Sequence, residues 1–367
     1  MKNSRRDFLK LASLAAAGLS LPVRAQSSLK ILVLGGTGFI GPHMVQYALS
    51  RGHEVSIFTR GNRQLDIPGV EHLIGDRNDN HDALVGRSWD VILDNNAQDY
   101  RWVQTSTELF RLVAEHYIIV SSISAYAAEG FGYDNWQRLV FEPMIDEDYE
   151  RLSPPEGWND QDDVPYGLMK ALSEDVVRDA FPDRCAVVRP GLIVGPGDPT
   201  DRFTYWPVRL DEGGEVLAPG NPNHANQIID QRDLSEWIVR LAEGRVAGDF
   251  NATGPNFRMT MSSMLSAIGT GVDSDYVLTW IPEGFLEEQN VNPWSDMPTW
   301  IPGDPLSYVS IERAVNAGLT FRSIEQTARD TLEWDKSRPV EERENRSAGL
   351  SRHREREIIT AWKNRRV

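Results

Sequence analysis

The sequence predicts an α/β chain: a Rossmann-type, doubly wound parallel sheet with a smaller C-terminal substrate domain. Three observations carry that expectation. From Leu29 to about Arg189, short apolar runs alternate with helix-like stretches, as parallel strands do when crossover helices join them. The first run, Ile31-Leu32-Val33, leads into Leu34-Gly35-Gly36-Thr37-Gly38-Phe39-Ile40-Gly41, and helix-like Met44 to Leu49 follows. Beyond Gly191 the alternation becomes irregular and turn-rich.

Residues 1–25 stand outside the fold. Ser4-Arg5-Arg6-Asp7-Phe8-Leu9-Lys10 is basic, Leu11 to Val23 is uncharged, and Val23-Arg24-Ala25 offers a cleavage site after Ala25. The uncharged run is too short to span a bilayer, which takes about 20 residues. The paired arginines before Phe-Leu-Lys resemble a twin-arginine signal, which implies export of a folded protein to the periplasm.

Composition narrows the class further. Hydrophobic residues make up 40% of 367, enough over this length for a substantial core. The net charge of −16 falls to about −20 without the basic leader. Such acidity opposes nucleic acid, or a membrane beyond export, as a partner. The single cysteine, Cys185, excludes an internal disulfide and sits in strand-like Cys185 to Arg189, where a buried thiol is expected. The seven histidines are scattered without a metal-ligand spacing, so no metal is expected.

The glycine loop is an anion site in sequence form. A strand, a tight turn and a helix N-terminus bring free N–H groups and the helix dipole to one point. Gly35, Gly38 and Gly41 let the backbone turn, approach a pyrophosphate and pack helix on strand, with Phe39 and Ile40 between them. Strands are expected at 30–34, 54–59, 71–74, 90–94, 117–121 and 184–189. The second ends in Thr59-Arg60-Gly61-Asn62-Arg63, where NAD sites usually carry an acid for the ribose 2′-hydroxyl. Arg60 and Arg63 suit the 2′-phosphate of NADP instead, although two solvated loop arginines would look the same. Gly75-Asp76-Arg77 offers a carboxylate to the adenine amino group, and Asn95-Asn96-Ala97 opens at the carboxyl edge of the sheet. Asp76 and Asn96 serve equally well as turn formers.

The fifth strand runs into Ser121-Ser122-Ile123-Ser124-Ala125-Tyr126, and Tyr166-Gly167-Leu168-Met169-Lys170 opens an amphipathic helix. Four residues apart, Tyr166 and Lys170 share a helix face. A phenol near pKa 10 is a poor base at neutral pH, and a neighbouring ammonium favours the phenolate. Ser122 can hold the substrate oxygen whose proton Tyr166 exchanges.

In these segments the chain resembles the extended short-chain dehydrogenase/reductase family, the NAD-dependent epimerase/dehydratase group, over about Leu29 to Asn251. The glycine loop looks like its G-x-x-G-x-x-G, Tyr166 and Lys170 match its Y-x-x-x-K, and Ser122 matches the serine four residues before Tyr126. Arg189-Pro190-Gly191 to Asp198 looks like the segment lining the nicotinamide side. The resemblance implies Tyr166 as general acid/base, Lys170 as pKa tuner and ribose contact, and Ser122 as substrate-oxygen donor. It also implies a cofactor role for Arg189. Thr59-Arg60 stands where the family usually has an acid, and the Asn95-Asn96-Ala97 loop is atypical.

The chain then divides into 29–190, the dinucleotide-binding part; 191–340, a substrate part interleaved with the sheet; and 341–367, a charged helical tail. Gln227 to Leu234 resembles the family strand that returns to the cleft, with Asp233 expected to cap a helix from Leu234 to Leu241. Arg202, Arg209 and Arg232, with Ser124 and Tyr126, are the substrate candidates. In the tail, Ile358, Ile359 and Trp362 fall near helical spacing, as a surface helix or a homodimer contact. The expected activity is hydride transfer on a hydroxylated, sugar-like molecule, with NADP or NAD as cofactor. The competing expectation is a non-catalytic dinucleotide- or RNA-binding member of the same fold.

Overall fold

Strand β1 (Lys30–Leu34) is apolar at every position after Lys30. Side chains alternate along a strand. Ile31 and Val33 therefore enter one core with Met44, Ile57 and Trp237, and Leu32 and Leu34 enter another with Phe110, Tyr117 and Phe181. Burial on both faces marks a central strand of a parallel sheet. Fully burying each such side chain contributes about 1.5–3 kcal/mol.

The computed structural model describes residues 27–63, 65–128, 143, 145–159 and 163–365; the expected export leader lies outside them. After β1 come β2 (Glu54–Thr59), β3 (Glu71–Ile74), β4 (Trp89–Asp94), β5 (Ala114–Val120) and β6 (Cys185–Pro190), all within three residues of expectation. With β10 (Gly248–Ala252) they form a seven-stranded sheet ordered β10-β6-β5-β4-β1-β2-β3. Every pairing is parallel. Helices α1 (Gly41–Ser50) and α5 (Gln231–Gly244) cover one face; α2 (Tyr100–Phe110) and α3 (Tyr166–Ala180) cover the other. The strand order reverses between β1 and β4, which opens a crevice at their carboxyl ends.

The C-terminal part has its own core. Short β7 (Leu192–Val194) pairs with β9 (Ile228–Asp230), and β8 (Gly214–Pro219) with β11 (Tyr276–Ile281). Around them α4 (Tyr205–Asp211), α6 (Met261–Val272), α7 (Glu283–Glu288), α9 (Ile324–Ser337) and α11 (Arg352–Arg365) gather Phe203, Trp206, Leu217, Leu265 and Ile358. Because α5 and β10 return to the main sheet, the chain beyond residue 191 passes between the two cores. Two short helices, α8 (Glu312–Asn316) and α10 (Val340–Glu344), complete the described α-helices, and single 3-10 turns lie at Asp82–Leu84, Ile123–Ala125 and Pro305–Ser307.

Two expectations are corrected here. Helix α5 starts at Gln231 and is capped by Asp230, whose carboxylate accepts from Arg232 N; Asp233 lies inside its first turn and pairs with Arg322. The apolar stripe of α11 is not a surface stripe: Ile358 and Ile359 are buried in the C-terminal core, and Trp362 packs on Phe285.

Candidate active site

A cleft of about 800 Å³ opens at the crevice, walled by the glycine loop, the ends of β2, β4 and β5, and the start of α3. Two glycines shape the loop for internal reasons. Gly35 has φ +88°, and a Cβ there would meet Asn96 Cβ at 2.7 Å; at Gly41 a Cβ would meet Gly36 O at 2.4 Å. Gly38 is different. A Cβ there would meet nothing nearer than Gly35 O at 3.6 Å, an ordinary contact, so packing alone does not require glycine. The bare backbone leaves room on the cleft side for a ligand. Helix α1 begins behind it with no side-chain cap and no acid in its first turn, so its positive end is not neutralised locally. The arrangement fits a pyrophosphate.

Of the other predicted cofactor residues, Phe39, Ile40, Arg60, Arg63, Asp76 and Asn96 all line the same cleft. Arg60 and Arg63 are exposed on its rim. Asp76 closes a local turn, accepting from Asn78 N at 2.9 Å and Asn78 Nδ2 at 2.8 Å.

Arg77 is a correction. Its guanidinium is buried and grips Asp94 through Nη1 at 2.6 Å and Nη2 at 2.8 Å, with Ser106 at 2.9 Å. Tyr117 donates to Asp94 Oδ2 at 2.7 Å. Burial pushes the Asp94 carboxyl up, but Arg77 and Tyr117 outweigh it and hold the group below the usual carboxylate range. This network braces the floor between β4 and β5; Arg77 borders the cleft with its guanidinium committed to Asp94.

Three side chains meet near the nicotinamide end. Tyr166 opens α3 and stands 59% exposed. It shares the cleft with Ser122, which follows β5, and its interaction with that side chain favours the phenolate. Lys170, one turn further on, is buried; its Nζ donates to Val120 O at 3.1 Å and lies 5.6 Å from the Tyr166 ring centroid. Burial draws the Lys170 ammonium down to about 8, with Asp94 and Glu174 opposing and Arg77 reinforcing the shift. The surrounding walls hold the Tyr166 phenol above its ordinary value, partly offset by Ser122. The expected lowering of that phenol by Lys170 is therefore not seen. At neutral pH the phenol keeps its proton and is a proton donor.

The adjacent serine has a different task. Both serines border the cleft, but Ser121 Oγ is committed to Glu174 Oε1 at 2.5 Å. Asn95, also in the cleft wall, carries a buried Oδ1 with no partner among the described residues. Sequence reasoning passed over both, although each sits beside a residue it chose.

Several predicted site residues prove structural. Arg189 is fully buried; its Nη2 reaches Glu174 Oε2 at 2.7 Å, its Nε reaches Oε1 at 2.9 Å, and its Nη1 donates to Tyr126 OH at 2.9 Å. Tyr126 passes its own proton to Asn251 Oδ1 at 2.7 Å and is buried. Neither faces the cleft. Arg209 is buried against Glu355 at 2.7 Å, and Arg232 lies between Asp230 at 2.7 Å and Asp330 at 2.5 Å. Ser124 is bound locally, its N–H donating to Ser122 Oγ at 3.1 Å. Arg202 stacks on Trp294, its Cζ 4.4 Å from the ring centroid. A second, more apolar cleft of about 810 Å³, between Phe257 and Phe321, shares no wall with the first. Among the described residues, no cluster of histidine, cysteine and acids could hold a metal ion.

Comparison with known proteins agrees with the fold. The chain is 33% identical over 124 residues to the Arabidopsis thaliana chloroplast stem-loop binding protein of 41 kDa b, covering 29% of this chain and 32% of that protein. It is 32% identical over 183 residues to the 2-alkyl-3-oxoalkanoate reductase of Stenotrophomonas maltophilia, covering 46% of this chain and 52% of that enzyme. The chain thus spans only about a third to a half of these two relatives. The Bordetella bronchiseptica enzyme WbmH, solved in complex with NAD+, superposes with a TM-score of 0.60 at 15% identity, covering 84% of this chain and 99% of WbmH. The sequence model of one family matches residues 31–252, the stretch that supplies the glycine loop, Ser122, Tyr166, Lys170 and β10. On that match, the chain belongs to the NAD dependent epimerase/dehydratase family.

Proposed function

We propose that the protein is an NAD(P)-dependent oxidoreductase or epimerase acting on a hydroxylated, sugar-like small molecule, with Tyr166 as its acid/base group. The observation that carries this reading is convergence: Ser122, Tyr166 and Lys170 share one cleft with the glycine loop. Ser122 holds the substrate oxygen, and Tyr166 gives it a proton or takes one away. Lys170 lies beneath that phenol, its Nζ anchored on Val120 O, and borders the part of the cleft that would hold the dinucleotide. A nicotinamide dinucleotide along the glycine loop would supply a reversible two-electron acceptor for the carbinol carbon.

NADP is the preferred cofactor in this reading, because Arg60 and Arg63 present two cations without carboxylate partners among the described residues. Replacing both by alanine is expected to weaken NADP binding at least tenfold and leave NAD nearly unchanged. Equal losses for the two cofactors would contradict the assignment.

The twin-arginine-like leader adds a condition. An exported protein meets no free dinucleotide pool, so a cofactor loaded before export has to be restored in place. Redox-neutral chemistry meets that condition, either as epimerisation through a keto intermediate or as coupled oxidation and reduction of two substrates. Native mass spectrometry of the exported protein, followed by assay on free sugars without added dinucleotide, tests it. One retained dinucleotide per chain and sustained turnover are expected; an empty protein that consumes cofactor stoichiometrically contradicts the proposal.

The name of the chloroplast relative favours a second reading, RNA binding without catalysis. A steep fall of RNA affinity with salt, together with full activity loss on every sugar, would favour it.

A further inference from the structure

Among the three arginines chosen from sequence for an anionic ligand, Arg202 alone lacks a carboxylate. Arg209 is neutralised by Glu355, and Arg232 by Asp230 and Asp330. The Arg202 guanidinium has no hydrogen-bond or ion-pair partner among the described residues; its contact is the face of Trp294. In a chain of net charge −16 that isolation is informative.

Acids are close at hand but directed elsewhere. Asp198 accepts from Thr200 N at 2.8 Å and Thr200 Oγ1 at 2.7 Å. Asp201 accepts from Arg338 Nη1 at 2.6 Å and from Ser347 N at 3.0 Å. The loop thereby withholds its own carboxylates from Arg202. The platform beneath the guanidinium is also constrained. Trp294 has φ +68°, a conformation that bulky residues rarely adopt. It is held by donation from Trp294 N to Trp300 O at 3.1 Å, and Trp300 is buried.

The loop that carries Arg202 reaches the cleft. Pro199, three residues before Arg202, is part of the cleft wall. At Gly197 a Cβ would stand 3.6 Å from the Phe39 ring, so this loop lies against the glycine loop from the C-terminal side. Stacking on an aromatic face fixes a guanidinium while leaving its donor edge free for a carboxylate or phosphate.

We propose that Arg202, held on Trp294, is an oxyanion-recognition site at the substrate end of the cleft, so that the substrate is a hydroxylated molecule bearing a carboxylate or phosphate. The proposal rests on the reading of the cleft as an oxidoreductase site.

Calorimetric titration of the full mature chain, with dinucleotide bound, tests it using glucuronate, glucose 6-phosphate and glucose. At least one of the two anions is expected to bind tenfold or more tightly than glucose. Arg202→Met is expected to remove that preference with dinucleotide affinity unchanged, and Arg202→Lys to restore it in part. Tighter glucuronate assigns a carboxylate, and tighter glucose 6-phosphate a phosphate. Equal binding of all three, no binding of any, or a preference that survives Arg202→Met overturns the proposal. Failure of the wild-type chain to bind dinucleotide would instead defeat the underlying reading of the cleft.

Discussion

Tyr166→Phe is expected to lower kcat about 10²–10⁴-fold, the usual worth of a positioned acid/base group, while folding and dinucleotide binding persist. The ring stays, so its packing and the 5.6 Å approach of Lys170 are unaffected; only the exchangeable proton goes. The wild-type pH profile has a predictable alkaline side. Burial leaves Lys170 with a pKa of about 8. Above that pH the cleft loses a cation that favours the dinucleotide, and kcat/KM for carbonyl reduction should fall. A profile flat from pH 7 to 10, or a Tyr166→Phe variant with normal turnover, contradicts the assigned roles.

Glu174→Ala is expected to destabilise the fold by about 3–5 kcal/mol, measured by urea unfolding. Its carboxylate is fully buried and gathers four donors. It accepts from Arg189 on β6, from Ser121 after β5, from Arg178 one turn along α3 at 3.1 Å, and from Arg151 at 3.3 Å. Removing it strands the buried Arg189 guanidinium with only Asp249, at 3.2 Å, as a remaining anionic partner. A loss of this size is a large share of the 5–15 kcal/mol typical of a domain. Arg189→Ala should cost less, because Arg178 and Arg151 still face the carboxylate. Glu174→Leu combined with Arg189→Met should recover much of the loss, since an apolar pair leaves no charge buried. Equal, small effects for all three variants would mean that the network braces nothing.

The sheet was legible in sequence because parallel strands buried on both faces appear as unbroken apolar runs, as in Ile31 to Leu34. The glycine loop was legible because close backbone contacts leave no alternative residue at Gly35 and Gly41. Arginine roles were not legible. An arginine in a motif reads as a ligand contact until its neutralising partner is located, and those partners are remote: Glu355 lies 146 residues beyond Arg209, and Asp330 lies 98 beyond Arg232. Arg189 misled for the same reason, since Glu174 is brought to it only by the docking of α3 on β6. The choice of Asp233 as a helix cap failed over one turn. Gln231 and Arg232 extend α5 backwards, and the tertiary contact with Arg322 gives Asp233 another use. Ser121 was not separable from Ser122 in sequence, because the Glu174 that engages it lies 53 residues further on.

A structure of the chain with NADP bound tests the central claim most directly. The account predicts the pyrophosphate over Gly38 at the start of α1, and the nicotinamide ring within reach of the Tyr166 phenol, so that a substrate carbon held by Ser122 meets it at about 3–3.5 Å. A dinucleotide bound with its nicotinamide pointing away from Tyr166, or seated in the cleft between Phe257 and Phe321, would contradict it.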